Sequence, residues 1–221
     1  MISGDAYYAT MYTPSAVRDA VWAALGRYMQ ADIGEDRVVL DLGAGYCSFI
    51  NQVRGARRIA VDLAPGGAGH AAPGVEFRQS SCMDLSFLAP GSVDIAFASN
   101  LLEHLERDEI TRTLDEVRRV LKPGGRPLLL QPNFTYVYRE YFHDFTHKTI
   151  FTHVGLSDLL EASGFDRVKI VPKLVPFSMQ SKYGGFSIPK FPGLEALVSL
   201  YLRLPWRPAA KQMYLVFRKR G

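Results

Sequence analysis

The apolar positions of this chain follow two periods in turn. Val38-Val39-Leu40-Asp41-Leu42, Arg58 to Leu63, Val75 to Gln79, Val93 to Ser99 and Arg126 to Gln131 are short apolar runs bounded by Gly, Pro, Asn or Asp. That pattern predicts five strands. Helical spacing appears between them. Ser15 to Met29 carries Val17, Ala20, Val21, Ala24, Leu25 and Tyr28 on one stripe. Thr111 to Leu121 is stopped by Lys122-Pro123-Gly124-Gly125, and Gly155 to Ser163 is closed by Gly164. Ser48 to Val53, directly after the first strand, is placed to open another helix. Val168 to Val171 and Gln212 to Arg218 read as two final strands.

This alternation predicts an α/β fold: a Rossmann-like, doubly wound sheet with helices on both faces. Two segments break it. Asn133 to His153 is rich in aromatics and histidines, and Lys173 to Ala210 is long, apolar and marked by five prolines. Both are long connections near the carboxyl end of the sheet, where open α/β folds bind ligands.

Composition narrows the class without changing the fold. The 221 residues suit one domain, 48% hydrophobic and 22% charged, with a net charge of +4. The basic residues form no block, which argues against a nucleic-acid partner. Cys47 and Cys82 are expected to be reduced thiols. The first residues lack a basic and apolar leader, and no apolar run reaches the ~20 residues of a spanning helix. A cytoplasmic protein without a transmembrane segment is expected.

The chemistry concentrates at the end of the first strand. Asp41-Leu42-Gly43-Ala44-Gly45-Tyr46-Cys47 is a carboxylate followed by a glycine turn. Glycines there let the backbone turn tightly and approach a ligand. Asp62 closes the second strand at near the spacing where an acidic side chain meets a ribose. Asp84 follows the third strand beside Cys82 and Met83, placed for an adenine amine. A carboxylate just before the turn would repel a pyrophosphate, and Ser48 stands where a further glycine would be. The set therefore favours a cationic, phosphate-free ligand over a dinucleotide.

On these residues the chain resembles the class I S-adenosylmethionine-dependent methyltransferases. Val39 to Gly45 is similar to their first motif, and Asp62 and Asp84 fall where the family has its ribose-side and adenine-side acids. Val93 to Leu105 is similar to their fourth-strand motif, and Glu116 to Gly125 to the helix and turn before their fifth strand. Cys47 departs from the third glycine of many members. The resemblance implies a mostly parallel seven-stranded sheet and S-adenosylmethionine as cofactor. It implies a cofactor set of Asp41, Gly43, Ala44, Gly45, Tyr46, Cys47, Asp62, Leu63, Cys82, Met83, Asp84, Asn100, Leu101 and His104. It divides a single domain, 1–221, into an N-terminal lid and helix (1–35), a cofactor core (36–171), and an apolar insertion with a final antiparallel strand (172–221). A narrower likeness, in Ser99 to Leu105, Gln131 to Asn133 and Leu200 to Pro205, is to bacterial enzymes that modify sugars, glycans or specialised metabolites.

Transfer of a methyl group to an alcohol needs a base, and histidine suits neutral pH. His143, Asp144 and His147 share the segment after the fifth strand and form a base–orienter set; hydrogen bonding that merely fixes the loop is the competing role. No metal ligands are assigned. Tyr7, Tyr8 and Tyr12 are expected in a lid. Leu194 to Leu204 is apolar nearly all round and is expected to form core or a substrate-pocket wall, or to contact a second copy, with a peripheral lipid contact as a third role. The expected function is O-methylation of a small-molecule acceptor, a sugar-containing compound or specialised metabolite. The rivals are an RNA or protein methyltransferase and a non-catalytic cofactor-binding partner subunit. The first is disfavoured for base amines by Asn100-Leu101-Leu102-Glu103, where an Asn-Pro-Pro-aromatic turn would stand.

Overall fold

A computed structural model describes residues 16–176 and 191–221. Tyr7, Tyr8, Tyr12 and part of the apolar insertion lie outside the described residues.

A seven-stranded sheet organises the chain: β1 (Val38–Leu42), β2 (Arg57–Asp62), β3 (Val75–Gln79), β4 (Val93–Ser99), β5 (Leu121–Pro132), β6 (Phe165–Val175) and β7 (Gln212–Lys219). Their order is β3-β2-β1-β4-β5-β7-β6. The first five strands pair in parallel, and β7 runs antiparallel to both β5 and β6. The order reverses between β1 and β4, which places the expected ligand crevice at their carboxyl ends.

Alternation along each buried strand feeds two cores. Leu40, Ile59, Ala96, Leu129 and Leu215 face α2 (Arg107–Val120) and α4 (His153–Ala162), where Ile110, Leu114, Leu156 and Leu160 meet them. Val39, Ala60, Phe97, Leu128 and Val216 face α1 (Ala16–Ile33) and α5 (Leu194–Arg203). On that side Phe49 stacks on Phe97 at 3.6 Å, and Trp22 sets its edge on both rings at 6.3 Å. A four-residue helix, α3 (Phe134–Val137), follows β5.

Local chemistry explains where elements stop, and corrects several expected boundaries. α1 runs on to Ile33 before Gly34 turns left-handed. α2 begins at Arg107 because Glu109 reaches back to the Glu106 amide at 2.7 Å, with Asp108 in the first turn and Arg118 and Arg119 in the last. Lys122-Pro123-Gly124-Gly125 does end that helix, yet the chain is extended from Leu121. Pairing starts at Val93↔Leu121 and resumes at Ile95↔Arg126, so the breaker is absorbed as an irregularity inside β5. Asp94 fastens it by accepting from the Lys122 ammonium and the Val38 amide. The helix expected after Ser48 is instead a run of turns held by Asn51 N–H to Cys47 and Gln52 N–H to Phe49. Asn51 is drawn off the helical path to bond the backbone of His70 and Ala72.

α5 is not buried all round. Leu194, Val198 and Leu202 enter the core, while Leu197 and Leu200 are exposed. Arg27 of α1 ties it down by an ion pair to Glu195 and a bond to Ser199. Its inner face is core, one of the expected roles. No helix among the described residues is long and apolar enough to cross a membrane.

Candidate active site

The glycine turn has the backbone its sequence demands. Gly43 and Gly45 lie at φ +66° and +51°. Each is closely approached. A Cβ on Gly43 would stand 3.0 Å from Leu101, and a Cβ on Gly67, from the 3-10 helix Pro65–His70, would stand 2.4 Å from the Gly45 carbonyl oxygen. The Ala44 amide donates to Val61 of β2. Cys47 is also left-handed, at φ +56°, although it carries a side chain. Its buried thiol donates to the Gly67 carbonyl at 3.6 Å. Burial, with the charges of Asp41 and Asp62, pushes that thiol up to about 12. Tyr46 sets its ring 4.6 Å from that of the exposed His70.

Two carboxylates stand behind the turn. Asp62 accepts from the Gly45 amide at 2.8 Å and from the Ala64 amide at 2.9 Å. Asp41 is buried, and its Oδ2 has no hydrogen-bond partner among the described residues. Burial, then the charge of Asp62, raises the Asp41 carboxyl well above its ordinary range, against a hydrogen bond from the Ile50 amide. Leu63, next to Asp62, is 69% exposed despite its apolar side chain.

The remaining expected cofactor residues differ in setting. Met83 is half-buried against the first core, whereas Cys82 sends its thiol into that core, 3.4 Å from the Thr113 hydroxyl. Asp84 is exposed, and hydrogen bonds from the Ser86 hydroxyl and then the Ser86 amide hold its carboxyl below the usual value. Asn100 takes φ +48° at the end of β4, where its side-chain oxygen accepts from Gln212 at 2.8 Å.

Beyond Leu101, the 3-10 turn Leu102–His104 brings Glu103 and His104 against Asp144, Thr146 and His147. The backbone fixes this docking: the Lys148 and Thr149 amides both donate to the Glu103 carbonyl, and the Thr149 hydroxyl donates to that of Leu105. His147 Nδ1 lies 2.6 Å from the Tyr141 carbonyl, which can only accept, so Nδ1 carries the proton. The Thr146 hydroxyl donates to Asp144 at 2.5 Å and therefore accepts from His104 Nδ1 at 2.9 Å. Both imidazoles then have their lone pair on Nε2. The two rings are 4.9 Å apart, and His147 Nε2 is 3.9 Å from Asp144.

Burial dominates the electrostatics of this cluster. It lowers His104 to about 4, helped by His147, and lowers His147 against the pull of Asp144. It raises the fully buried Glu103 to about 8. Burial also pushes Asp144 up, but hydrogen bonds from the Thr146 hydroxyl and amide hold it below its ordinary value. His143 is not brought into the cluster. It ends the 3-10 turn Tyr141–His143 and is exposed.

Residues 40–129 match a family of methyltransferase domains. The fold is that of an S-adenosylmethionine-dependent methyltransferase from Archaeoglobus fulgidus, at TM-score 0.67 and 20% identity over 98% of this chain and 100% of that one. It is also similar to one from Mesorhizobium loti, at TM-score 0.61 and 17% identity over 90% and 98% of the two chains. The YcgJ protein of Bacillus subtilis aligns at TM-score 0.61 and 19% identity over 90% and 98%. No curated protein matches the chain. Residues 40–129 therefore carry a methyltransferase domain, and the chain around them has the fold of the S-adenosylmethionine-dependent methyltransferases.

The residues around the glycine turn fit S-adenosylmethionine. The Gly45 amide, which would face a pyrophosphate in a dinucleotide site, is taken by Asp62. The unpartnered Oδ2 of Asp41 suits a cation instead. Sequence reasoning missed two further polar residues in its own motifs. Glu103, buried with neither oxygen hydrogen-bonded, had no signal beyond its histidine neighbour. Gln131, near the carboxyl end of β5, is buried with its amide unpartnered and reads in sequence as the polar end of an apolar strand.

Proposed function

We propose that this methyltransferase transfers a methyl group to a hydroxyl oxygen of a small-molecule acceptor, a sugar-containing compound or specialised metabolite. S-adenosylmethionine, when bound, supplies a methyl group on a positively charged sulfur. Asp41 offers that charge a carboxylate. Each ionised carboxylate oxygen has two acceptor sites, so Asp62 can bond two amides and still accept from the ribose hydroxyls. The Gly43–Gly45 turn keeps Cβ atoms out of the way, Leu63 and Met83 flank the adenine, and Leu101 closes the turn from the β4 side.

The observation that carries the acceptor class is the pair of neutral imidazoles, His104 and His147, a few residues beyond Leu101. Methyl transfer itself needs alignment and little else. An amine free base needs no further help, but a hydroxyl must lose its proton to become a nucleophile. Buried imidazoles with lowered proton affinity are in the form that can assist that loss. His147, steadied through its Nδ1 proton by the Tyr141 carbonyl, takes precedence over the exposed His143.

The test is release of S-adenosylhomocysteine with matched panels of sugar, phenol and amine acceptors. Turnover confined to hydroxylated acceptors is expected. Turnover on amines alone, or retention of RNA that weakens steeply with salt, would replace this reading.

A further inference from the structure

Glu103 presents a problem that nothing among its neighbours solves. It is 1% exposed, both carboxylate oxygens lack a hydrogen-bond partner among the described residues, and it is followed directly by a histidine that meets a second one. A buried, unpaired carboxylate is costly unless a cation or donor meets it. One ligand atom from each of Glu103, His104 and His147 lies within 4.8 Å of the other two.

We infer that Glu103, His104 and His147 form a binding site for one divalent transition-metal ion of the zinc type. Two imidazoles and one carboxylate are the donor set of an open zinc site, which leaves a further position for a ligand oxygen. The surroundings carry the other half of the design. Metal-bound histidines characteristically donate their second N–H to a carbonyl or carboxylate, which fixes ring and tautomer. His147 does so to the Tyr141 carbonyl, and His104 does so through the Thr146 hydroxyl to Asp144. Both Nε2 lone pairs are thereby set for ligation. The cation would neutralise Glu103, and Asp144, 3.9 Å from His147 Nε2, would offset its remaining charge. The spacing of the set also explains why the sequence hid it: the third ligand comes from a loop beyond β5, brought to the first two by backbone bonds to Glu103.

The site deepens the proposed function and rests on reading this crevice as the acceptor end. With both Nε2 atoms on the ion, the metal replaces the imidazoles as the group that assists deprotonation: at the open position it would bind the acceptor's hydroxyl oxygen and lower its proton affinity, so that the proton passes to water and the oxygen keeps its electron pair. A hydroxyl-bearing acceptor with a second oxygen on the adjacent carbon, a vicinal diol or catechol, would chelate best.

The experiment uses the full-length protein, stripped with chelator and titrated with Zn2+ against a chromogenic indicator. One Zn2+ per chain at about 1 µM or tighter is expected. Glu103→Gln, His104→Ala and His147→Ala should each weaken it by at least about 30-fold, and Thr146→Val by about 10-fold through loss of ring orientation. Co2+ should give the visible bands of a four-coordinate nitrogen and oxygen site, absent from the Glu103→Gln protein. Retained S-adenosylmethionine affinity in Glu103→Gln shows that this variant is folded. Failure of the wild-type chain to saturate, or equal zinc affinity in all three ligand variants, overturns the site. Zinc bound as expected with no turnover on any hydroxylated acceptor upholds the metal site and overturns the proposed function. Full turnover in zinc-free protein that binds no zinc does the reverse.

Discussion

Asp62 and Glu103 are both carboxylates buried at the carboxyl edge of the same sheet, yet their surroundings differ completely. Asp62 is satisfied by its own neighbourhood: the Ala64 amide, two residues on, and the Gly45 amide from the adjoining turn. Neither carboxylate oxygen of Glu103 has a hydrogen-bond partner among the described residues, and it lies between the imidazole of its neighbour His104 and that of His147 from a distant loop. The first arrangement is finished before any ligand arrives. The second is complete only when something else enters. A site for a common cofactor can be built from two adjacent β-strand ends, whereas an acceptor site is assembled from whatever the long connections bring in.

The comparison breaks most readily at Asp62. Asp62→Ala leaves two amides without their acceptor and should cost about 2–3 kcal/mol of stability, read by denaturant unfolding. Affinity for S-adenosylmethionine should fall about 100-fold by calorimetry, near 2.7 kcal/mol. Asp84→Ala is the matched control. Asp84 is exposed and bonded to Ser86, so only a few-fold loss is expected. Equal losses in both would mean that the satisfied carboxylate is no more than a surface contact.

On the other side, His147→Ala should lower kcat about 100-fold with cofactor affinity intact, the usual scale of assisted proton removal. His143→Ala should cost far less, because its side chain is exposed and outside the cluster. A large loss in His143→Ala with a small one in His147→Ala would move the acceptor site to the surface of the loop.

The same contrast explains what could be read from the sequence. β1, the glycine turn, Asp41 and Asp62 form a local unit whose spacing is set by strand length and turn geometry, so pattern alone places them. The strand order could be expected only through resemblance. The helix after Ser48 could not be excluded, because the bonds from Asn51 to His70 and Ala72 that divert the chain are tertiary. Glu103 and His147 were separated in the sequence by a helix, a strand and a loop. Their meeting depends on Lys148 and Thr149 donating to the Glu103 backbone, which no side-chain pattern encodes. His143, four positions before His147, carries the same sequence signal and lands on the surface.

Asp41 sharpens the comparison through pH. Its carboxyl is raised by burial and by the charge of Asp62, while the Cys47 thiol beside it is pushed up and stays neutral. Folded protein therefore holds an extra proton between the ordinary carboxyl value and the raised one. Stability without cofactor should fall as pH rises through that window. A bound cation favours the charged carboxylate, so binding releases that proton and affinity should fall as pH is lowered. Asp41→Asn should flatten both profiles and weaken binding about tenfold at high pH, some 1.4 kcal/mol. A wild-type affinity independent of pH would mean that Asp41 does not meet the cofactor's positive charge.

The smallest effect is at Cys47, where the finished side carries strain. A residue with a Cβ at φ +56° costs about 1 kcal/mol relative to glycine. Its thiol partly offsets this by filling the core beside Phe49 and Ile50 and by bonding Gly67. Cys47→Ala keeps the strain and loses the sulfur. Cys47→Gly releases the strain and loses the same packing. The glycine variant should therefore be the more stable of the two by about 0.5–1 kcal/mol, measured by chemical unfolding, with cofactor affinity within about threefold of wild type in both. Were alanine the more stable, the left-handed backbone at Cys47 would not be a source of strain, and the departure from a third glycine would be a matter of packing alone.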